Sequence, residues 1–170
     1  MDVYGRNPTS EKGKYFRNNV WRWRPLANYI AQIAPVNITG QCEHWHSNDG
    51  DGLGADESAK LAMFLRNELS TGRTAAYASS YQAEIDALAD EKCDLCNGTG
   101  VRSDAIGISD GMTTRIITED GHPRIGQKGW CNKCDGRGTV RPWETCYPFS
   151  AENVVEFCDF LEQCGGFEIC

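Results

Sequence analysis

Several features are missing from this sequence, and each absence closes off a class of protein. No apolar run approaches the roughly 18 to 20 residues needed to span a bilayer. No charged start leads into a long apolar stretch and a cleavage site. The expectation is a cytoplasmic protein with no membrane partner. There is no phosphate-binding loop, dinucleotide fingerprint or complete metallohydrolase signature, so the enzyme classes that carry those motifs lose their support. Positive charge is also scarce: 17 basic residues against 24 acidic ones leave a formal charge of -7. That balance disfavours broad electrostatic capture of nucleic acid or anionic lipid. With 170 residues, the chain has room for one core plus a small satellite module, but not for two large catalytic domains.

Cysteine, in contrast, is abundant. There are nine, an odd number, and four of them form two tight pairs far apart in the chain. Such usage fits metal ligation and free thiols in a reducing compartment better than a complete disulfide framework. The pairs belong to an internal repeat, Cys93-Asp94-Leu95-Cys96-Asn97-Gly98-Thr99-Gly100 and Cys131-Asn132-Lys133-Cys134-Asp135-Gly136-Arg137-Gly138. Each C-x-x-C can turn two sulfurs toward one ion, and the glycines that follow permit the tight turns this requires. Cys93, Cys96, Cys131 and Cys134 are therefore the expected ligands of a closed, tetrahedral zinc site. Disulfides or a catalytic thiol are the competing readings of the same residues. A zinc ion held this way pins the base of the intervening 34 residues and supplies folding energy where a small module lacks core.

The repeat resembles the C-x-x-C-x-G-x-G motifs in the cysteine-rich domain of DnaJ-type cochaperones. The resemblance covers residues 93 to 138 and implies a beta-rich zinc module that contacts unfolded polypeptide. That family uses four repeats and two zinc centres, whereas two repeats and one centre are present here. His122-Pro123-Arg124 stands where the family's ATPase-stimulating signature would read His-Pro-Asp, and it lies within the zinc insertion. The chain as a whole resembles phage and prophage proteins in YFRNNVWRWRPLANYI, in the SNDGDGLG loop and in the final GGFEIC. This second resemblance implies an accessory role, such as modulating a host protein or interfering with antiviral defence.

Outside the repeat, residues 1 to 13 read as an irregular arm. Pro25 reads as the first turn of a helix carrying Leu26, Tyr29, Ile30 and Ile33. Asp56 is placed to cap a helix through Leu69, and a second helix over Ala75 to Lys92 would complete a hairpin with it. Thr113 to Thr118 reads as a short strand, and Ser150 as the cap of a last helix bearing Val154, Val155, Phe157, Cys158, Phe160 and Leu161. Charge is distributed unevenly, at +4 over residues 1 to 34, -7 over 35 to 100, +1 over 101 to 150 and -5 over 151 to 170.

The polar loop at residues 40 to 54 holds Cys42, His44, His46, Asp49 and Asp51. It reads as a structural turn, with a binding or catalytic surface, or a second metal site completed by Cys146 or Cys164, as alternatives. The expected fold is α+β: a mainly helical core of residues 1 to 92 and 139 to 170, with an inserted beta-rich four-cysteine zinc finger at 93 to 138. The expected function is a small zinc-stabilised binding or regulatory protein with a protein partner, no catalytic residues and zinc as its one cofactor. The alternatives are a nucleic-acid-binding zinc protein and a metal-dependent hydrolase built on residues 42 to 51. The first would combine the N-terminal aromatic run of Tyr15, Phe16, Val20, Trp21 and Trp23, interleaved with Arg17, Arg22 and Arg24, with Arg102, Arg115, Arg124, Lys128, Lys133, Arg137 and Arg141 of the finger.

Overall fold

The computed structural model describes residues 1–170. In chain order the elements are β1 (Asp2–Gly5), α1 (Glu11–Lys14), β2 (Tyr15–Arg17), α2 (Val20–Ile33), α3 (Val36–Thr39), β3 (Gly52–Leu53), α4 (Ala55–Ser70) and α5 (Arg73–Ala87). They continue with β4 (Glu91–Lys92), α6 (Ala105–Ser109), β5 (Thr139–Val140), a 3-10 turn at Trp143–Cys146, α7 (Ala151–Leu161) and β6 (Phe167–Ile169). The chain divides into two compact units, Met1–Asp86 with Cys146–Cys170, and Ala87–Thr145. The fold is a mainly helical core with an inserted segment that carries short strands and the cysteine cluster.

In the first unit, α4 packs on α7. Leu61, Ala62 and Leu65 of α4 and Val154, Phe157, Cys158, Phe160 and Leu161 of α7 are buried, an apolar stripe on each helix at the spacing that brings residues onto one face. Val155 points outward. Ser150 caps α7 as expected, accepting from the Asn153 amide at 3.1 Å. The aromatic rings of Phe16, Phe157, Phe160 and Phe167 interlock with centroids 5.1 to 6.2 Å apart. Trp23 meets Phe157 edge-on, and its indole N–H donates to the Trp45 carbonyl at 2.6 Å. The arginine-interleaved aromatic run thus places Phe16 and Trp23 in the core.

Several expectations give way here. Residues 1 to 13 are not an irregular arm: β1 lies between β2 and β6 in an antiparallel sheet of order β2-β1-β6-β3. This sheet joins the two ends of the described chain, with Val3 opposite Phe16 on one side and opposite Ile169 on the other. All three side chains are buried. Helix α2 begins at Val20 under an Asn19 cap, so Pro25 sits inside it rather than in its first turn. Gly54, not Asp56, occupies the N-cap of α4, and Asp56 lies in the first turn, where a carboxylate still favours the helix dipole. Helix α5 follows α4 after two residues but does not form its packing partner, since α7 takes that place. Tyr77 and Tyr81 of α5 pack instead around Phe149 and Tyr29. Helix α5 stops at Ala87 because Glu91 and Lys92 leave the helix to pair with Val140 and Thr139. Of the strand expected at residues 113 to 118, a single bridge between Ile116 and Lys128 forms.

Candidate metal centre

The second unit is short of apolar core. Its buried apolar side chains are Cys93, Cys96, Cys131, Cys134, Ile117 and Pro142, and the four cysteines form a cluster of their own, flanked by Val140. Their sulfurs all lie within 4.8 Å of one another. Cys93 Sγ is 4.0 Å from Cys131 Sγ, and Cys96 Sγ is 3.7 Å from Cys134 Sγ. Zinc bound to thiolates at about 2.3 Å in a tetrahedron sets its sulfurs about 3.8 Å apart, so the four donors fit zinc. They are the one group of three or more Cys, His, Asp or Glu ligand atoms that converges in the molecule.

The repeat in the sequence becomes a repeat in space. In the first knuckle the Gly98 amide donates to the Cys93 carbonyl at 3.0 Å and the Gly100 amide to Cys96 Sγ at 3.3 Å. The second repeats this, with Gly136 on Cys131 at 3.0 Å and Gly138 on Cys134 Sγ at 3.2 Å. Asn97 and Asp135 both take positive φ, as do the glycines after them. The knuckles also interlock reciprocally. A Cβ on Gly100 would lie 2.3 Å from the Gly136 carbonyl oxygen, and one on Gly138 would lie 2.5 Å from that of Gly98. The glycines therefore do more than allow a turn. They let one backbone reach the other.

The amide donors bear on thiol ionisation. Burial raises the Cys96 pKa, but the Gly100 N–H and the neighbouring thiols outweigh it and bring the value to about 7. Cys134 is pushed up to about 12, chiefly by burial, against the pull of the Gly138 N–H. Burial raises Cys93 as well. Zinc ligation needs thiolates, so a dication must displace the protons that burial favours on Cys93 and Cys134.

A brace that the sequence reading did not assign holds the second knuckle. His122 is buried, and its Nε2 lies 2.7 Å from the Asp135 carbonyl, while the Arg124 amide donates to Nδ1 at 3.0 Å. The Arg124 guanidinium then bridges the knuckles, donating from Nη1 to the carbonyls of Gly100 at 2.8 Å and Gly136 at 2.9 Å. Its Nη2 reaches the Lys128 carbonyl at 3.1 Å. The one sequence signal for this was the run of left-handed turns, which leave carbonyls pointing outward and in need of donors. Trp130 donates to Asp135 Oδ1 at 3.0 Å, with the Arg115 guanidinium 4.0 Å over its ring.

The cations of this unit are mostly engaged internally. Besides Arg115 and Arg124, Arg102 pairs with Asp104 at 2.9 Å, Lys133 with Asp94 at 2.6 Å, and Arg141 with Asp90 at 3.3 Å. Lys92, Lys128 and Arg137 are not tied down in this way. Apolar side chains, by contrast, face outward: Ile106, Ile108, Ile116 and Ile125 are each more than half exposed.

The candidates at residues 42 to 51 do not converge as one set: His44, Asp49 and Asp51 are neighbours, whereas Cys42 lies in the core and His46 turns to Asn28. Cys42 is buried in the helical core, and burial together with the nearby Asp51 pushes its pKa up to about 12. His44 is exposed, with Nδ1 3.5 Å from Asp51 and 4.0 Å from Asp49. His46 is directed to Asn28, at 2.9 Å. Asp51 ties the turn: Oδ2 accepts from the His44 amide at 2.7 Å and Oδ1 from the Gly52 amide at 2.8 Å. Burial opposes its charge, but these donors hold the carboxyl below its usual range. Cys164 is buried and directed to the Leu161 carbonyl, and Cys146 is exposed. Compared with protein-family models, curated proteins and solved structures, the chain matches none of them. No helix is long and apolar enough to cross a membrane.

Proposed function

We propose that the chain is a small zinc-stabilised binding or regulatory protein whose zinc finger engages a protein partner. The observation that carries this reading is a closed site in an almost coreless module. Four buried thiolates fill the coordination sphere of a zinc ion and leave no position for water or substrate, the arrangement of structural rather than catalytic zinc. The metal supplies the order, worth about 10 to 16 kcal/mol in small zinc modules, and the surface so ordered presents Ile106, Ile108, Ile116 and Ile125 to solvent. Exposed apolar side chains on a metal-fixed frame suit contact with protein. The likeness of residues 93 to 138 to a module that handles polypeptide in DnaJ-type cochaperones points the same way. The phage-like segments favour a host protein as the partner and an accessory role for the chain.

The test is affinity capture from host extract, followed by direct binding of the recovered protein to wild-type chain, to Ile106→Asp with Ile108→Asp, and to Cys131→Ser. The expected result is one partner that binds the wild type and loses at least tenfold affinity with both variants. A partner indifferent to both would remove the finger from the reading. A salt-sensitive mobility shift with nucleic acid at low ionic strength would replace the protein partner with a nucleic acid. Turnover abolished by His44→Ala or Asp49→Ala would instead favour a hydrolase.

A further inference from the structure

We propose that an open cavity beside α2, lined by Arg24, Asn28 and His46, binds a phosphate group. Arg24 and Asn28 are four residues apart on α2 and share one exposed face. His46 reaches that face because two buried rings fix the chain just before it. Trp23 and Trp45 stack with centroids 6.4 Å apart, and the Trp23 indole N–H holds the Trp45 carbonyl. A carboxamide oxygen only accepts, so the 2.9 Å contact with Asn28 Oδ1 puts a hydrogen on His46 Nε2. Nδ1 is left to take up a proton, and Asn28 Nδ2 to donate. Tyr147 holds Arg24 at the rim: Nη1 lies 3.5 Å from the phenol oxygen, and the guanidinium carbon 5.7 Å from the ring centroid. Tyr147 is itself anchored, its carbonyl accepting from Tyr81 Oη at 2.7 Å and its ring packing on Trp21 at 5.0 Å.

The ligand class follows from the lining. Each of these three side chains can donate, none is acidic, and about 300 Å3 of space is open to them. That leaves room for a phosphate and part of the group it esterifies. Arg22, two residues earlier on α2, is neutralised by Glu156 at 3.9 Å. Arg24 has no carboxylate within ion-pair distance, and its contacts with Tyr147 are long ones. A guanidinium presents its N–H donors in a planar fork that matches two oxygens of an oxyanion. The amide and the imidazolium then serve further oxygens, which a tetrahedral phosphate supplies and a carboxylate does not. Burial and the charge of Arg24 hold the His46 pKa below its usual value, so the ring is neutral at pH 7 in the free protein. A dianion beside both groups reverses that balance, and the imidazole takes up a proton as phosphate binds.

Histidine NMR titration of the zinc-loaded full chain with inorganic phosphate, at constant ionic strength, tests the site. His44, which lies beside Asp49 and Asp51 instead, serves as the internal control. The His46 pKa should rise by about one unit or more at saturation while that of His44 stays in place. The dissociation constant should be about 1 mM or tighter. Arg24→Gln removes the fork and should weaken binding about tenfold or more. Should that variant fail to fold, Asn28→Asp sets a carboxylate in the cavity and should weaken binding as much. Adenosine monophosphate in place of phosphate separates the sources. Binding about tenfold tighter makes the ligand a phosphate ester, and equal or weaker binding makes it the free ion; either supports the site. Absence of a saturable shift overturns the inference. So does a shift of equal size at His44 and His46, one indifferent to both variants, or acetate binding as tightly as phosphate. All the residues involved lie in the helical unit, so the outcome is independent of the zinc finger.

Discussion

The amide of Arg124 donates to His122 Nδ1 at 3.0 Å, which leaves the imidazole proton on Nε2 to reach the Asp135 carbonyl at 2.7 Å. Backbone and ring thereby fix one tautomer, and the guanidinium of the same Arg124 spans both knuckles. Arg124→Lys keeps the charge but not the fork that meets two carbonyls at once. It should destabilise the zinc-loaded finger by about 1 to 3 kcal/mol. Zinc transfer to a chromogenic chelator should quicken accordingly. Unchanged transfer would show that the brace does not hold the knuckle.

Glycine substitutions separate turn strain from backbone crowding. Gly100→Ala and Gly138→Ala would place a Cβ against the carbonyl of the opposite knuckle, whereas Gly121, also at positive φ, has open space around it. Gly121→Ala should cost only the left-handed strain, about 1 to 2 kcal/mol. The two knuckle variants should cost more and lower zinc affinity, as measured by competition with a chelator of known strength. Equal losses at all three positions would argue against the interlock.

Asp51→Ala distinguishes a turn residue from a ligand. Loss of the bonds from the His44 and Gly52 amides should lower the melting stability of the helical unit by about 1 to 3 kcal/mol. Zinc stoichiometry measured by native mass spectrometry should stay at one per chain. A drop in bound metal would restore the loop as a metal site.

Acid should release the zinc, since ligation needs thiolates and protons compete for Cys93, Cys96 and Cys134. Alkali should act on the helical unit. Burial raises the pKa of Tyr29, Tyr77 and Tyr81 above the ordinary 10.0. A raised phenol pKa gives stability that is full below pH 10 and is lost as pH rises through the folded value. A melt series from pH 8 to pH 11 should therefore show stability falling from about pH 9, where the buried thiols of Cys42 and Cys158, both raised from 9.0 to about 12, begin the loss, and more steeply above about pH 10, where the tyrosines join it. Tyr77→Phe with Tyr81→Phe should lessen that fall, and an identical fall in the double variant would remove these tyrosines as its source.

The parts that could be read from the chain were those governed by short-range chemistry. C-x-x-C-x-G-x-G states its ligand type, its spacing and its left-handed turns within eight residues, and the structure places all four sulfurs together. The apolar arc of α7 and its Ser150 cap were equally local. What escaped was pairing at long range. Asp2–Gly5 and Phe167–Ile169 are too short to show a convincing alternation, and neither segment carries the other's register. Helix α4 shows an apolar face without naming α7 as the element it packs against. His122 and Arg124 find their acceptors, the carbonyls of Asp135, Gly100 and Gly136, only once both knuckles are folded beside them.

Local sequence thus determined where the metal would sit, which residues would hold it and where the long helices would run, because ligand spacing and helical period act over a few residues. Tertiary structure alone decided the sheet that joins Met1 to Cys170, the partner of each helix and the brace across the knuckles. These depend on which surfaces, separated by tens to more than a hundred residues, bury one another. Hydrophobic burial has no direction along the chain, so its outcome is settled only when the whole chain is folded.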